Sequence, residues 1–246
     1  MSNIGRIKDL AKRLFLTNIS NGVIDLTTYN EEELLFLELI FEKELSIRRE
    51  KKIIYLKSKS GIDEVNKEKT LDNFNCNLTT NITKWHIEKL KDETLLKNKA
   101  NIILIGSAGV GKTHLACGMV TYHVMNEKKC SYLTVSKLLD LINNIDLSQK
   151  IKRKIDYIKS SDLVVIDEVG YIPVSRDDAI KLYNLINEIN NYTSICIITN
   201  REFNNWGDIF IDKVMASTII DRLIENSIIL KIDAKSYRVL KQEEKK

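Results

Sequence analysis

Gly106-Ser107-Ala108-Gly109-Val110-Gly111-Lys112-Thr113 fits the spacing G-x-x-x-x-G-K-[ST] without a gap. A strand-like run, Asn101-Ile102-Ile103-Leu104-Ile105, stands directly before it, and a helical stretch opens after it at His114-Leu115-Ala116. A strand, a glycine-rich turn and a helix in that order let backbone N–H groups wrap phosphate oxygens, with the positive end of the helix dipole behind them. The eight loop residues, with His114 beside them, are therefore expected to hold the phosphates of ATP. Lys112 is placed to bridge the β- and γ-phosphates, and Thr113 to offer its hydroxyl to Mg²⁺. A chance glycine turn would explain the loop but not both of its flanks.

Further short apolar runs follow, at Cys130–Thr134, Leu163–Ile166, Ser194–Thr199 and Ile228–Ile232, with helix-like stretches between them. Such runs alternating with helices predict an α/β fold, a five-stranded parallel sheet covered on both faces. Leu163–Ile166 ends in Asp167-Glu168. Carboxylates at the carboxyl end of a buried strand lie at the ligand edge of such a sheet. Asp167 is expected to hold Mg²⁺ together with Thr113, and Glu168 to polarise the attacking water. The run ending at Thr199 is followed by Asn200, which would either orient that water or merely end a strand in a turn. Arg222 precedes the last run; it reads as an arginine finger reaching a neighbouring subunit's γ-phosphate, or as a surface ion pair with Asp221 or Glu225. Arg238 would contact phosphate within its own subunit.

Before the sheet, residues 1–60 contain no strand-like run and read as a helical domain. Asn30 followed by Glu31-Glu32-Glu33 marks a helix start, with an N-cap and acidic residues at the positive end of the dipole. Residues 61–83 are polar and aperiodic and are expected to be a linker, leaving 84–246 as the ATPase domain, with a helix over 84–97. In 246 residues, 43% are hydrophobic and 29% charged, and the net charge is +4. So small an excess makes nucleic-acid contact a matter of local clusters. Arg48, Arg49, Lys51, Lys52, Lys57 and Lys59 form one cluster; Lys150, Lys152, Arg153, Lys154 and Lys159 form another. Each would touch DNA phosphates or be a solvated helix face. No apolar run approaches the roughly 18 residues that a membrane span needs. Met1–Arg6 shows no signal-peptide region, so a cytoplasmic location is expected. The four cysteines are scattered, and residues 1–75 hold no Cys or His, which excludes a zinc module there. Trp85 and Trp206 read as packing residues.

GSAGVGKTHLA (106–116), VIDEVGYIPVSR (165–176), TNREFNNWGD (199–208), ASTIIDRL (216–223) and SYR (236–238) occur in that order. Together they resemble the IstB-type ATPases that assist insertion-sequence transposases, relatives of the DnaC-type helicase loaders within the AAA+ superfamily. Ser107-Ala108 replaces a common Pro-Pro, and Glu225-Asn226 stands where histidines are common. The resemblance implies a P-loop three-layer domain of AAA+ type with a small helical N-terminal domain. It implies a homo-oligomer that assembles on double-stranded DNA in the ATP state, recruits and activates a transposase, and hydrolyses ATP. A DnaC-type helicase loader is the nearest alternative. A small-molecule P-loop kinase would need a lid with several arginines, and a non-hydrolysing ATP switch would not need Glu168.

Overall fold

The computed structural model describes residues 3–62, 66, 68–171, 174–207, 213–237 and 239. The chain divides into two compact units, Met1–Tyr55 and Leu56–Lys246. Among the described residues no helix is long and apolar enough to cross a membrane.

In the first unit, α1 (Asn3–Arg13) and α2 (Thr17–Ser20) precede α3 (Glu31–Lys59), whose last turn lies in the second unit. Asn30 and Glu33 cap α3 reciprocally: Glu33 N donates to Asn30 Oδ1 at 3.0 Å, and Asn30 N donates to a Glu33 carboxylate oxygen at 2.9 Å. Ile7, Leu10 and Leu14 pack with Leu26, Leu34 and Phe41 to make a small core. Arg6 reaches Glu38 at 2.7 Å and pairs with Glu42 as well. Leu35, Phe36 and Leu39 on α3 remain exposed.

The second unit is built on five parallel strands: β1 (Asn101–Gly106), β2 (Cys130–Thr134), β3 (Leu163–Val169), β4 (Ser194–Thr199) and β5 (Ser227–Ile232), in the spatial order β2-β3-β4-β1-β5. Side chains alternate between two cores, as the period of a strand requires. Ile102 and Leu104 join Ile87, Leu90, Leu95, Leu115 and Met119, from α4 (Lys84–Lys91), α5 (Glu93–Lys97) and α6 (Lys112–Met125). Ile103 and Ile105 join residues from α7 (Val135–Asn143), α8 (Gln149–Lys159), α9 (Arg176–Ile189) and α10 (Lys213–Glu225) on the other face. The result is the expected three-layer α/β arrangement. With β4 between β1 and β3, the carboxyl ends of these three strands stand side by side.

Three expectations need correction. The 61–83 stretch is not a free linker: Leu71 and Ile82 are buried at 2% and 4% exposure in the second unit's core. Burying each is worth about 1.5–3 kcal/mol, and Thr80 N also donates to Asp233 O at 2.9 Å beyond β5. The 84–97 helix is two helices, because the Asp92 side chain accepts from Thr94 N at 2.9 Å and caps a new start. Trp85 is 62% exposed. Ile87 and Leu90 take the buried face of α4, and a residue two positions before Ile87 lies about 200° round the helix from it.

Candidate nucleotide site

Residues 106–113 leave β1 and enter α6, and two of their glycines are conformationally obligatory. Gly109 and Gly111 have φ of 83° and 103°, in the left-handed region that side chains disfavour. A Cβ on Gly111 would lie 2.8 Å from the Phe74 ring, and one on Gly109 would lie 2.2 Å from Ser236 Oγ. The loop is thus walled by segments distant in sequence. Tyr237 N donates to Gly109 O at 3.0 Å, which brings the Ser236-Tyr237 part of the SYR stretch onto the loop; Arg238 lies outside the described residues. The Lys112 ammonium donates to Gly106 O and Ser107 O, both at 2.6 Å. His114 Nε2 lies 2.9 Å from Thr70 O and 2.8 Å from Asn73 Oδ1, and its ring meets Phe74 edge-on at 5.3 Å. Burial holds its pKa below the ordinary histidine value.

Across the loop, Thr113 Oγ1 donates to Asp167 Oδ2 at 3.1 Å, and Glu168 N donates to Asp167 Oδ1 at 2.7 Å. Asp167 is buried at 6% exposure, whereas Glu168 is exposed between two buried neighbours. The cause is a bulge. Ile166 pairs with Ile197 and Val169 with Thr199, so Asp167 and Glu168 together oppose the single residue Ile198. The extra residue turns Glu168 to φ 64° and re-aims its side chain, a common use of bulges beside active sites.

Asn200 is exposed at the end of β4, between the loop after β1 and the carboxylates of β3. Its neighbour Arg201 donates from Nε to Gly170 O at 2.8 Å, tying the ends of β4 and β3 together. Arg222 is exposed in the last turn of α10, beside the buried Leu223. Among the described residues no ion pair joins it to Asp221 or Glu225. On α8, Lys150, Lys152, Arg153 and Lys154 are exposed, while Lys159 pairs with Glu188 at 2.8 Å. In the N-terminal cluster Arg48 pairs with Glu44 at 2.7 Å. Trp206 is buried, as expected, against Phe203.

A cavity of about 470 Å³ adjoins the loop and is lined by Phe74, Asn75, Leu78, Gly111, Lys235 and Tyr237 among others. Its aromatic and apolar walls were not identified from the sequence. Phe74 and Leu78, apolar residues four apart in a polar stretch, were the available signal.

The family model described as IstB-like ATP binding protein matches residues 10–245. The chain belongs to this family. This IstB-like chain is 30% identical over 171 residues to the insertion sequence IS21 protein of Pseudomonas aeruginosa, named for ATP binding; the match covers 70% of the chain but 64% of that relative, less than two thirds of its length. The corresponding insertion sequence IS5376 protein of Geobacillus stearothermophilus is 28% identical, with 89% of the chain and 87% of the relative covered. The replicative helicase loader DnaC of Buchnera aphidicola is 24% identical over 87% of the chain and 86% of its own length. Among solved structures, a DnaC helicase loader superposes with a TM-score of 0.56 at 19% identity, covering 70% of the chain and all of that structure. AMPPCP-bound DnaA from Aquifex aeolicus gives 0.56 at 20% identity, covering 74% of the chain and 56% of that one. These likenesses show that the chain shares the α/β fold of those two structures.

Proposed function

We propose that this IstB-like protein is a cytoplasmic ATPase that assembles as an oligomer on double-stranded DNA and recruits or stimulates a transposase. The observation that carries the hydrolytic part is the meeting of Thr113, Asp167 and the out-turned Glu168 beside the glycine loop. The loop amides and the α6 N-terminus hold the triphosphate, and Lys112 exchanges its two loop carbonyls for phosphate oxygens. The base enters the cavity beside Phe74 and Tyr237. Thr113 and Asp167 fit Mg²⁺: their oxygens meet at 3.1 Å beside the glycine loop, and Mg²⁺ is bound by one or two carboxylates together with substrate phosphates. The ion, when bound, neutralises charge that builds on the phosphates. Glu168 takes up the proton of the attacking water, Asn200 orients that water, and Arg222 of an adjacent subunit stabilises the γ-phosphate. Arg238 is assigned to phosphate within its own subunit.

The exposed lysines and arginine of α8 support a DNA-facing surface, as backbone neutralisation needs no sequence readout. The insertion-sequence names of the relatives support the transposase as client. A second reading, a replicative helicase loader, is supported by the likeness to DnaC in sequence. Sedimentation with duplex DNA tests the assembly: ATP with Mg²⁺ should give a large DNA-bound oligomer and ADP should not. A monomer that ignores DNA in both states would leave only the nucleotide site standing.

A further inference from the structure

Tyr132 lies on β2, the edge strand, where it is in register with Val165 of β3. Its hydroxyl donates to Oδ2 of Asp167, the oxygen that also accepts from Thr113. With Glu168 N on Oδ1, one nearly buried carboxylate receives three donors from three elements. The Cys117 thiol, one turn along α6 from Thr113, is a second hydrogen-bond partner of the same hydroxyl. The backbone of Tyr132 is fixed as well. Its N donates to Ser60 O at 2.6 Å, and a Cβ on Gly61 would lie 2.2 Å from its carbonyl oxygen.

Rotation of an Asp carboxylate about its last torsion is soft, with broad wells. Nothing intrinsic to Asp167 therefore sets the plane in which its oxygens face a cation, and its hydrogen-bond donors must do so. Thr113 has to share its hydroxyl oxygen with the cation, and the Glu168 amide holds only the far oxygen. Tyr132 is the donor on Oδ2 with no other duty at the phosphates. We propose that Tyr132 is a positioning residue for the cation half of the nucleotide site: its hydroxyl fixes the plane of the Asp167 carboxylate and thereby sets the Mg²⁺ requirement for nucleotide binding. The proposal rests on Gly106–Thr113 and Asp167 forming a nucleotide–Mg²⁺ site. Outer partners of metal ligands typically contribute about 10- to 100-fold in metal affinity.

The test is a Mg²⁺ titration of the full chain with a fluorescent, slowly hydrolysed ATP analogue. Tyr132→Phe should raise the Mg²⁺ midpoint about tenfold and leave affinity in EDTA unchanged, a split that loss of packing would not produce. Cys117→Ala, which leaves the Tyr132–Asp167 bond in place, should keep the wild-type midpoint. Should Tyr132→Phe fail to fold, Tyr132→Met fills the same position without a donor and carries the same expectation. A Tyr132→Phe midpoint within about twofold of wild type, or an equal shift in Cys117→Ala, overturns the proposal. A wild-type protein whose nucleotide affinity ignores Mg²⁺ would instead overturn the cation site itself.

Discussion

Glu168 combines a strained backbone with an exposed side chain, and the two have opposite consequences for stability and activity. The left-handed region costs an L-residue about 1–2 kcal/mol, and Asn tolerates it better than most. Glu168→Asn should therefore melt higher, by about 2–4 °C for a chain of this size, while losing turnover. Equal or lower melting would mean that the bulge is not strained. Glu168→Gln should keep nucleotide affinity and slow hydrolysis about 100-fold or more; a normal rate in that variant would remove Glu168 as the base. Lys112→Ala removes a cation that donates to two oxygens, and charge-assisted bonds contribute about 1.5–3 kcal/mol each. Its nucleotide affinity should fall about 100-fold or more by fluorescence titration, and an unchanged affinity would end the phosphate-loop assignment. The placement of Lys112 after β1 and of Glu168 near the end of β3 was legible in the sequence, because both follow short apolar runs that form buried strands. The conformation of Glu168 was not, since it arises from the pairing of β3 with β4, about thirty residues further along the chain.

Among the elements, the strands were legible and the segment before α4 was not. Cys130–Thr134 and Ser194–Thr199 occupy the runs read from the sequence, because short apolar stretches in a doubly covered sheet have few alternatives. Residues 68–83 carry Leu71, Phe74, Leu78 and Ile82 at helix-like intervals of three and four, yet they form no α-helix, and the partner that orders them is α6, some forty residues on. Gly118 shows how close that partner is. A Cβ there would lie 2.6 Å from Leu71 N and 2.7 Å from Thr70 C, both backbone atoms that no rotamer change can move. Gly118→Ala should cost about 1–3 kcal/mol, the range of overpacked cores. Because the same segment carries Phe74 against Gly111, nucleotide affinity should fall with stability. Calorimetry beside a nucleotide titration checks both, and a variant that melts and binds like wild type would show that the segment yields freely.

At the scale of the whole molecule, pH and subunit contact both act through groups already placed. Burial holds His114 and His123 below the ordinary histidine value of 6.5, so between their folded values and 6.5 the unfolded chain binds more protons than the folded one. Stability is then full above pH 6.5 and falls as the pH drops below it; Tm should be lower at pH 5.5 than at 7.5, and a higher value at 5.5 would reverse the sign. The carboxylates held below their usual range, Asp25, Asp92 and Asp178, act only at more acid pH and leave that window to the histidines. The role proposed for Arg222 needs a second copy of the chain. α10 buries Ile219 and Leu223 and leaves the Arg222 guanidinium exposed, outside the core on which its own subunit's site is built. Arg222→Ala should leave nucleotide affinity intact and lower turnover about 10³-fold, the scale of a lost arginine finger. A subunit with this substitution still carries Glu168, and a Glu168→Gln subunit still carries Arg222. Where the two meet, one composite site is complete, so mixing two inactive proteins should restore part of the ATPase rate. A mixture as inactive as its components would place Arg222 in its own subunit's site or away from the chemistry altogether.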